Sequence, residues 1–256
     1  MYSADGTFRP LKLSVLHPYI PSVKKITTVQ HHHHYHSPSQ VDRKYHIDSK
    51  TNSDSRVTFD DIFKIVIILD ESGSMESVRN KMIDSINDLI KEQKQVKERT
   101  ATFTLVKFND KVNRIVKNKL LSDTKYVTTE DYNPSGATAL HDAIADTINW
   151  FKNEKNVLMV IVTDGQENAS RHYSKRDVSN MIEHKKEHDD WSFVYLSNDL
   201  GTAEQGKHLG LNDSRNSSNC ILNQSNYGDF MSNELNIAIT NYRTKGVSVQ
   251  RQLNKY

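Results

Sequence analysis

The chain has 256 residues, 36% of them hydrophobic and 26% charged, with a formal net charge of +2 and one cysteine, Cys220. So small a net charge makes no electrostatic case for nucleic acid or an anionic membrane as partner, and no apolar run approaches the ~20 residues of a membrane-spanning helix. A lone cysteine excludes an intramolecular disulfide framework. With Leu11 to Ile20 broken by Lys12, His17 and Pro18 rather than forming a signal-type core, the expectation is a soluble, intracellular protein, cytoplasmic by preference.

Residues 1–59 hold four of the five prolines and seven of the twelve histidines, and Asp48 to Arg56 is rich in Ser, Asp, Asn and Lys. No strand or helix period survives there, so this stretch reads as a low-complexity, disordered arm. Its tract His31-His32-His33-His34-Tyr35-His36 has the composition to chelate a transition metal, but incidental affinity of a low-complexity run is the simpler account. The domain proper is expected over 60–243, followed by a C-terminal tail, 244–256.

From Asp60 the pattern becomes regular. Ile65 to Leu69 is a continuous, β-branched-rich apolar run, the signature of a strand buried on both faces of a parallel sheet. It turns polar at once into Asp70-Glu71-Ser72-Gly73-Ser74. A helix follows with Val78, Met82, Ile86 and Leu89 on one stripe, beside Ile83 and Ile90. Ala101 to Phe108 predicts a strand that turns at Asn109-Asp110 into a second strand, Val112 to Val116. A polar connection ends in Asn133-Pro134-Ser135-Gly136-Ala137-Thr138. A helix then carries Leu140, Ile144, Ile148 and Phe151 on one face, and Val157 to Val162 is another buried-strand run ending in Thr163-Asp164-Gly165. The alternation continues with a helix capped by Ser174, a strand from Trp191 to Leu196, a short helix from Gly201 to His208, an edge strand at Ile221-Leu222 and a helix from Phe230 to Tyr242. Strand–helix alternation of this kind predicts an α/β fold with a doubly wound, mostly parallel sheet and helices on both faces.

In such sheets ligands bind outside the carboxyl ends of the strands, where three polar clusters fall: Asp70-x-Ser72-x-Ser74, Thr138 and Asp164. Two carboxylates and three hydroxyls are hard oxygen donors that suit Mg2+, with Mn2+ or Ca2+ as alternatives, rather than zinc or copper. Alternate residues leaving a strand point the same way, so Asp70, Ser72 and Ser74 can converge on one ion, and Gly73 eases the bend. The competing account of Asp70, Ser72 and Ser74 is a capped turn, and Thr138 is placed to cap the helix after it. Glu167 and Asn168 read as part of a solvated loop. A Ser72–His141–Asp164 hydrolase is a further reading, but the chain lacks a Gly-x-Ser-x-Gly elbow and any evident oxyanion hole.

The segments DESGSM, PSGATAL and VTDGQEN, in that order, resemble the three-part metal-ion-dependent adhesion site of the von Willebrand factor A domain family, over roughly residues 61–243. TDGQENAS with Ser174 to Asp177 looks most like stand-alone intracellular and bacterial-type members. The resemblance implies a six-stranded, mainly parallel sheet. It also implies an ion held directly by Ser72, Ser74 and Thr138, with Asp70 and Asp164 binding directly or through water. The function it implies is a divalent-cation-dependent protein interaction module, not an enzyme, in which the ion accepts an Asp or Glu carboxylate from a protein partner. Nucleic acid and membrane are not among the expected partners, and a metal-dependent hydrolase is the alternative.

Overall fold

The computed structural model of the chain describes residues 62–212 and 216–254. The arm expected over 1–59 and its histidine tract lie outside the described residues. Six strands form one sheet in the order β3-β2-β1-β4-β5-β6: β1 (Phe63–Asp70), β2 (Ala101–Phe108), β3 (Val112–Leu120), β4 (Val157–Val162), β5 (Ser192–Ser197) and β6 (Ser217–Ile221). All pair in parallel except β3, which runs antiparallel to β2 as the second arm of the expected hairpin. The expected six-stranded, mostly parallel α/β sheet is therefore what the chain forms.

Every residue of β1 is buried. The run has no polar alternation because each face meets its own core: Ile65, Ile67 and Leu69 pack on one side, Val66 and Ile68 on the other. Helix α1 (Arg79–Gln95) buries the predicted stripe, Met82, Ile83, Ile86, Leu89 and Ile90, against the first face. Helices α2 (Leu140–Trp150) and α3 (Lys175–His188) cover the second. Helix α3 starts in a full capping box between Ser174 and Asp177, as the sequence indicated, whereas α2 starts after Ala139 with no side-chain cap. The Thr138 hydroxyl is thus not spent on the helix, which departs from the capping expectation. Helix α4 spans Leu200–His208.

Three departures lie toward the C-terminus. The edge strand begins four residues earlier than expected, because SSNCI buries the small side chains Ser217, Ser218 and Cys220, which show no apolar run. The last helix is not uniform: an α turn (Tyr227–Asp229) leads into a π turn (Phe230–Leu235) and then α5 (Asn236–Lys245), which ends at Gly246 with φ +69°. The stretch expected as a tail contributes α6 (Val249–Leu253), which buries Val249, Gln250 and Leu253. Among the described residues no helix is long and apolar enough to cross a membrane.

Helix α5 is tied to α1 through a buried polar knot. Arg243 is 5% exposed. It donates to the carbonyls of Gln93, Val96 and Arg99 and to the Gln93 side-chain oxygen, at 2.6–3.0 Å. A cation on the last carbonyls of α1 complements that helix's C-terminal dipole. Burial lowers the Arg243 pKa to about 10, so the guanidinium stays charged at neutral pH. Replacing it by Met would keep the packing volume but leave buried carbonyls without donors, at ~1–3 kcal/mol for an orphaned group. Arg243→Met is therefore expected to lower unfolding stability in urea by about 3 kcal/mol. A loss below about 0.5 kcal/mol would show the knot to be incidental.

Candidate metal centre

The strand order reverses at β1, whose neighbours β2 and β4 follow it in opposite directions across the sheet. Leu69 of β1 pairs with Val162 of β4, so the chain leaves both strands at the same height. Asp70 and the Thr163-Asp164-Gly165 turn consequently share one crevice, the switch point where open α/β sheets place ligands.

Asp70 is fully buried. Its Oδ1 accepts from the Ser72 amide at 2.7 Å and its Oδ2 from the Thr163 hydroxyl at 2.6 Å. Burial pushes the carboxyl up to about 6. The neighbouring Asp164 charge acts in the same direction, and the bonds from Thr163 and Ser72 oppose it. Ser72 occupies the N-cap position of the 3-10 turn Gly73–Val78, yet its side chain makes no capping bond. Its Oγ lies 3.1 Å from Ser74 Oγ, which in turn donates to Asp164 Oδ1 at 2.5 Å. The capped-turn account of these serines therefore does not describe what their hydroxyls do. Thr138, 3% exposed, joins them across Gly165: a Cβ added to that glycine would sit 2.9 Å from Thr138 Oγ1 and 3.7 Å from Asp70 Oδ2. All five predicted residues, Asp70, Ser72, Ser74, Thr138 and Asp164, come together at this one place.

The surrounding residues hold the backbone of this crevice rather than adding donors to it. Glu71 turns away to accept from Lys107 Nζ at 2.9 Å and from the Asn133 amide at 2.6 Å, while its carbonyl takes the Ser135 amide at 2.7 Å. The β2–β3 turn braces the Thr138 loop from the other side. Asn109 Nδ2 donates to the Ser135 carbonyl, and the Ala137 amide donates to Asp110 Oδ1. Gly136 is obligatory there on two counts: its φ is +79°, and a Cβ would meet Asp110 Oδ2 at 2.7 Å. The loop after Asp164 is pinned as well. Asn168 Oδ1 accepts from the Thr138 amide at 2.9 Å, and Glu167 accepts from the amides of His141, Ala169 and Ser170 and from the Ser170 hydroxyl. Burial alone would raise the Glu167 carboxyl, but the bonds from Ser170 and His141 outweigh it and hold it below the ordinary range. Glu167 and Asn168 lie in a loop, as expected, with Asn168 exposed, and their side chains also clamp its backbone.

Tyr132 and Tyr227 complete the frame. Tyr132 donates its hydroxyl to the Asp70 carbonyl at 2.6 Å and Tyr227 to the Thr163 carbonyl at 2.9 Å. Sequence reasoning missed Thr163, Tyr132 and Tyr227 as supports of the site. Only Thr163, next to Asp164, carried a local cue. His141 does not join the crevice as a base: its Nδ1 lies 3.8 Å from Glu167, and burial holds its pKa below the usual imidazole value. Ser72 Oγ lies beside Ser74 Oγ while His141 is turned to Glu167, an arrangement unlike the nucleophile–base contact of a hydrolytic triad. Among the described residues no group of three or more His, Cys, Asp or Glu side chains is placed to hold a metal ion. The crevice is distinguished by hydroxyls instead.

The model of the von Willebrand factor type A domain family matches residues 64–229. No curated protein matches the chain. Solved structures with a similar fold include the PilB minor pilin from Streptococcus sanguinis, 12% identical over 73% of this chain and 63% of that one, with a TM-score of 0.54. A von Willebrand factor type A protein from Catenulispora acidiphila is 14% identical over 71% of this chain and 42% of that one, with a TM-score of 0.48. The manganese-loaded TRAP protein of Plasmodium vivax is 15% identical over 68% and 73%, with a TM-score of 0.43. The chain thus spans less than half the Catenulispora protein and under two thirds of the pilin.

The raised Asp70 pKa carries a stability consequence. A carboxyl titrating near 6 when folded and near 3.8 when unfolded favours the fold fully below the unfolded value, and that contribution is lost as pH rises through 6. Asp70→Asn keeps a neutral group of the same shape, and Thr163 Oγ1 retains an alternative acceptor in the Gly165 carbonyl at 3.1 Å. In chelator at pH 7 the variant is expected to exceed wild type by about 2 kcal/mol in urea unfolding, the advantage shrinking toward pH 4. An advantage that is absent, or that grows on acidification, would mean Asp70 is not buried as a charge.

Proposed function

The chain belongs to the von Willebrand factor type A domain family, and from that premise we propose that the crevice binds a divalent cation, Mg2+ in the first place, which bridges to an acidic side chain of a protein partner. The observation that carries the reading is the convergence of Ser72, Ser74, Thr138 and Asp164 beside a buried Asp70 that forms no salt bridge among the described residues. Burying two neighbouring carboxylates is costly unless something positive offsets them, and a hard dication fits a donor set made only of oxygens. In this reading Ser72, Ser74 and Thr138 hold the ion directly, and Asp70 and Asp164 do so directly or through water. Mn2+ and Ca2+ suit the same donors.

Where Asp70 and Asp164 act through water, the ion's direct protein ligands are three neutral hydroxyls, which keeps it electrophilic and leaves coordination positions open. Such a centre supports binding of one further anionic oxygen, which an Asp or Glu supplies. The loops that would meet the partner are the ones clamped by Glu71, Asp110, Asn168 and Glu167, so the surface around the ion is pre-set rather than assembled on contact. We read the protein as an interaction module rather than an enzyme. We also place it inside the cell, in keeping with a buried Cys220 that forms no disulfide.

Calorimetric titration of the full chain with Mg2+, which imidazoles bind poorly, tests the proposal. One ion is expected per chain, with tighter binding when acetate is present. Asp70→Ala should abolish the signal while the circular dichroism of the fold persists. Gly165→Ala, which crowds the Thr138 hydroxyl at 2.9 Å, should weaken binding about tenfold, or ~1.4 kcal/mol. A well-folded wild type that takes up no ion with or without acetate would remove the mechanism and leave the family assignment standing. Ester or phosphate hydrolysis that disappears in Ser72→Ala would move the assignment to a hydrolase.

A further inference from the structure

Helix α3 ends in His184-Lys185-Lys186-Glu187-His188. Residues four apart share one helix face, so the two imidazoles stand one above the other. Both are exposed, while Val178, Ile182 and Lys185 are buried. The ring centroids lie 4.6 Å apart with the planes inclined by only 23°. Two histidines at i and i+4 on one helix face are a recurring pair of zinc ligands, and the H-x-x-E-H spacing found here is one of the forms such pairs take.

The second observation concerns how the rings are held. His188 Nδ1 lies 3.1 Å from the His184 carbonyl. A carbonyl can only accept, so this bond puts the ring proton on Nδ1 and leaves the Nε2 lone pair free. A carbonyl on the non-ligating nitrogen is the support that metal-binding histidines almost always have, because it fixes both tautomer and ring orientation. The His184 ring spends neither nitrogen on a hydrogen bond or ion pair among the described residues. The flanking lysines are engaged elsewhere: Lys185 with the Lys152 carbonyl and Asp189, Lys186 with Glu183 and the Gly210 carbonyl. Glu187 brings a carboxylate to 4.0 Å from His188 Nδ1. The carboxyl end of the helix dipole also favours positive charge at this turn.

We infer that His184 and His188 together bind a transition-metal dication that prefers imidazole, Zn2+ foremost, at a surface site separate from the oxygen-lined crevice. Each ring gives one nitrogen, Nε2 in the case of His188, and water fills the remaining positions. Two nitrogens on a tetrahedral ion at ~2.1 Å each must approach to about 3.4 Å, which exposed rings already stacked reach by a small rotation. The two sites differ in donor chemistry: carboxylates and hydroxyls select a hard ion such as Mg2+, whereas neutral imidazoles select Zn2+, Cu2+ or Ni2+. No cleft or third protein ligand is built around the pair, so the site is one of binding and not of hydrolysis. Because the pair is assembled only when α3 is helical, the ion binds the folded chain more tightly than the unfolded one.

That linkage supplies the test. Thermal unfolding of the full chain is followed with and without about 0.1 mM Zn2+, with Mg2+ in large excess throughout to keep Zn2+ off the crevice. Zinc at roughly ten times its dissociation constant is expected to raise the wild-type midpoint by about 3 °C. His184→Asn and His188→Asn should each lose that rise while keeping the zinc-free midpoint, since both side chains are exposed. The tract His31 to His36 is common to all three proteins, so its own affinity for zinc cancels in the comparison. In 15N spectra of the imidazoles, zinc should move Nε2 of His188 while Nδ1 keeps its proton. Three results would overturn the inference: no rise in the wild type, an equal rise in wild type and both variants, or loss of the rise in only one variant.

Discussion

The arrangement of this domain depends on one buried carboxylate. Asp70 sits at the end of the central strand, where the apolar run Ile65 to Leu69 has drawn it out of water. The protein compensates with a backbone amide from Ser72 and a hydroxyl from Thr163, which is too little to keep its pKa in the ordinary range. Those two bonds also do geometric work. The first bends the chain so that Ser72 and Ser74 face back over the strand end. The second fixes the turn that carries Asp164. The energetic defect and the shape of the crevice therefore share a cause, and a cation is the group that would relieve the one by occupying the other.

Around that carboxylate the clamps form a consistent pattern. Glu71, Asp110, Asp142 and Glu167 are acidic residues near the crevice, yet each accepts from backbone amides of the surrounding loops, and Glu71 pairs with Lys107 as well. Charge that might have added to the site is used to rigidify it. A general base must keep a lone pair within reach of a substrate proton, whereas His141 and Glu167 face one another and the backbone. Of the hydroxyls that line the crevice, Ser74 is exposed and Ser72 and Thr138 are buried.

The legible parts of the sequence were those where one residue type does one job. The buried strands β1 and β4 showed as unbroken apolar runs because both faces are covered. The α1 stripe showed because a helix has one wet side. The five oxygen-bearing residues showed because each directly follows a strand or precedes a helix. The illegible parts involve partners distant in the chain. Tyr132 and Tyr227 reach the carbonyls of Asp70 and Thr163 from 62 and 64 residues away, and no local period marks them. Edge strand β6 hid because its buried residues are the small Ser217, Ser218 and Cys220. Helix α6 hid because five residues with one apolar pair fall below any periodicity test. Arg243 looked like an ordinary last-turn cation, and only the fold reveals that its acceptors are the end of another helix.

The position of the crevice follows from the topology of the sheet. The strand order reverses between the carboxyl ends of β1 and its neighbours, so the loops that leave β1 and β4 open a gap that side-chain oxygens line. Below that gap the strands are packed solid, with Ile67 and Val160 fully buried on one face and Ile68 and Ile161 on the other. A carboxylate at the end of such a strand has apolar side chains beneath it and loop oxygens around it, and burial there raises its pKa. The same unbroken apolar run that makes β1 legible in the sequence therefore sets the chemistry at its end.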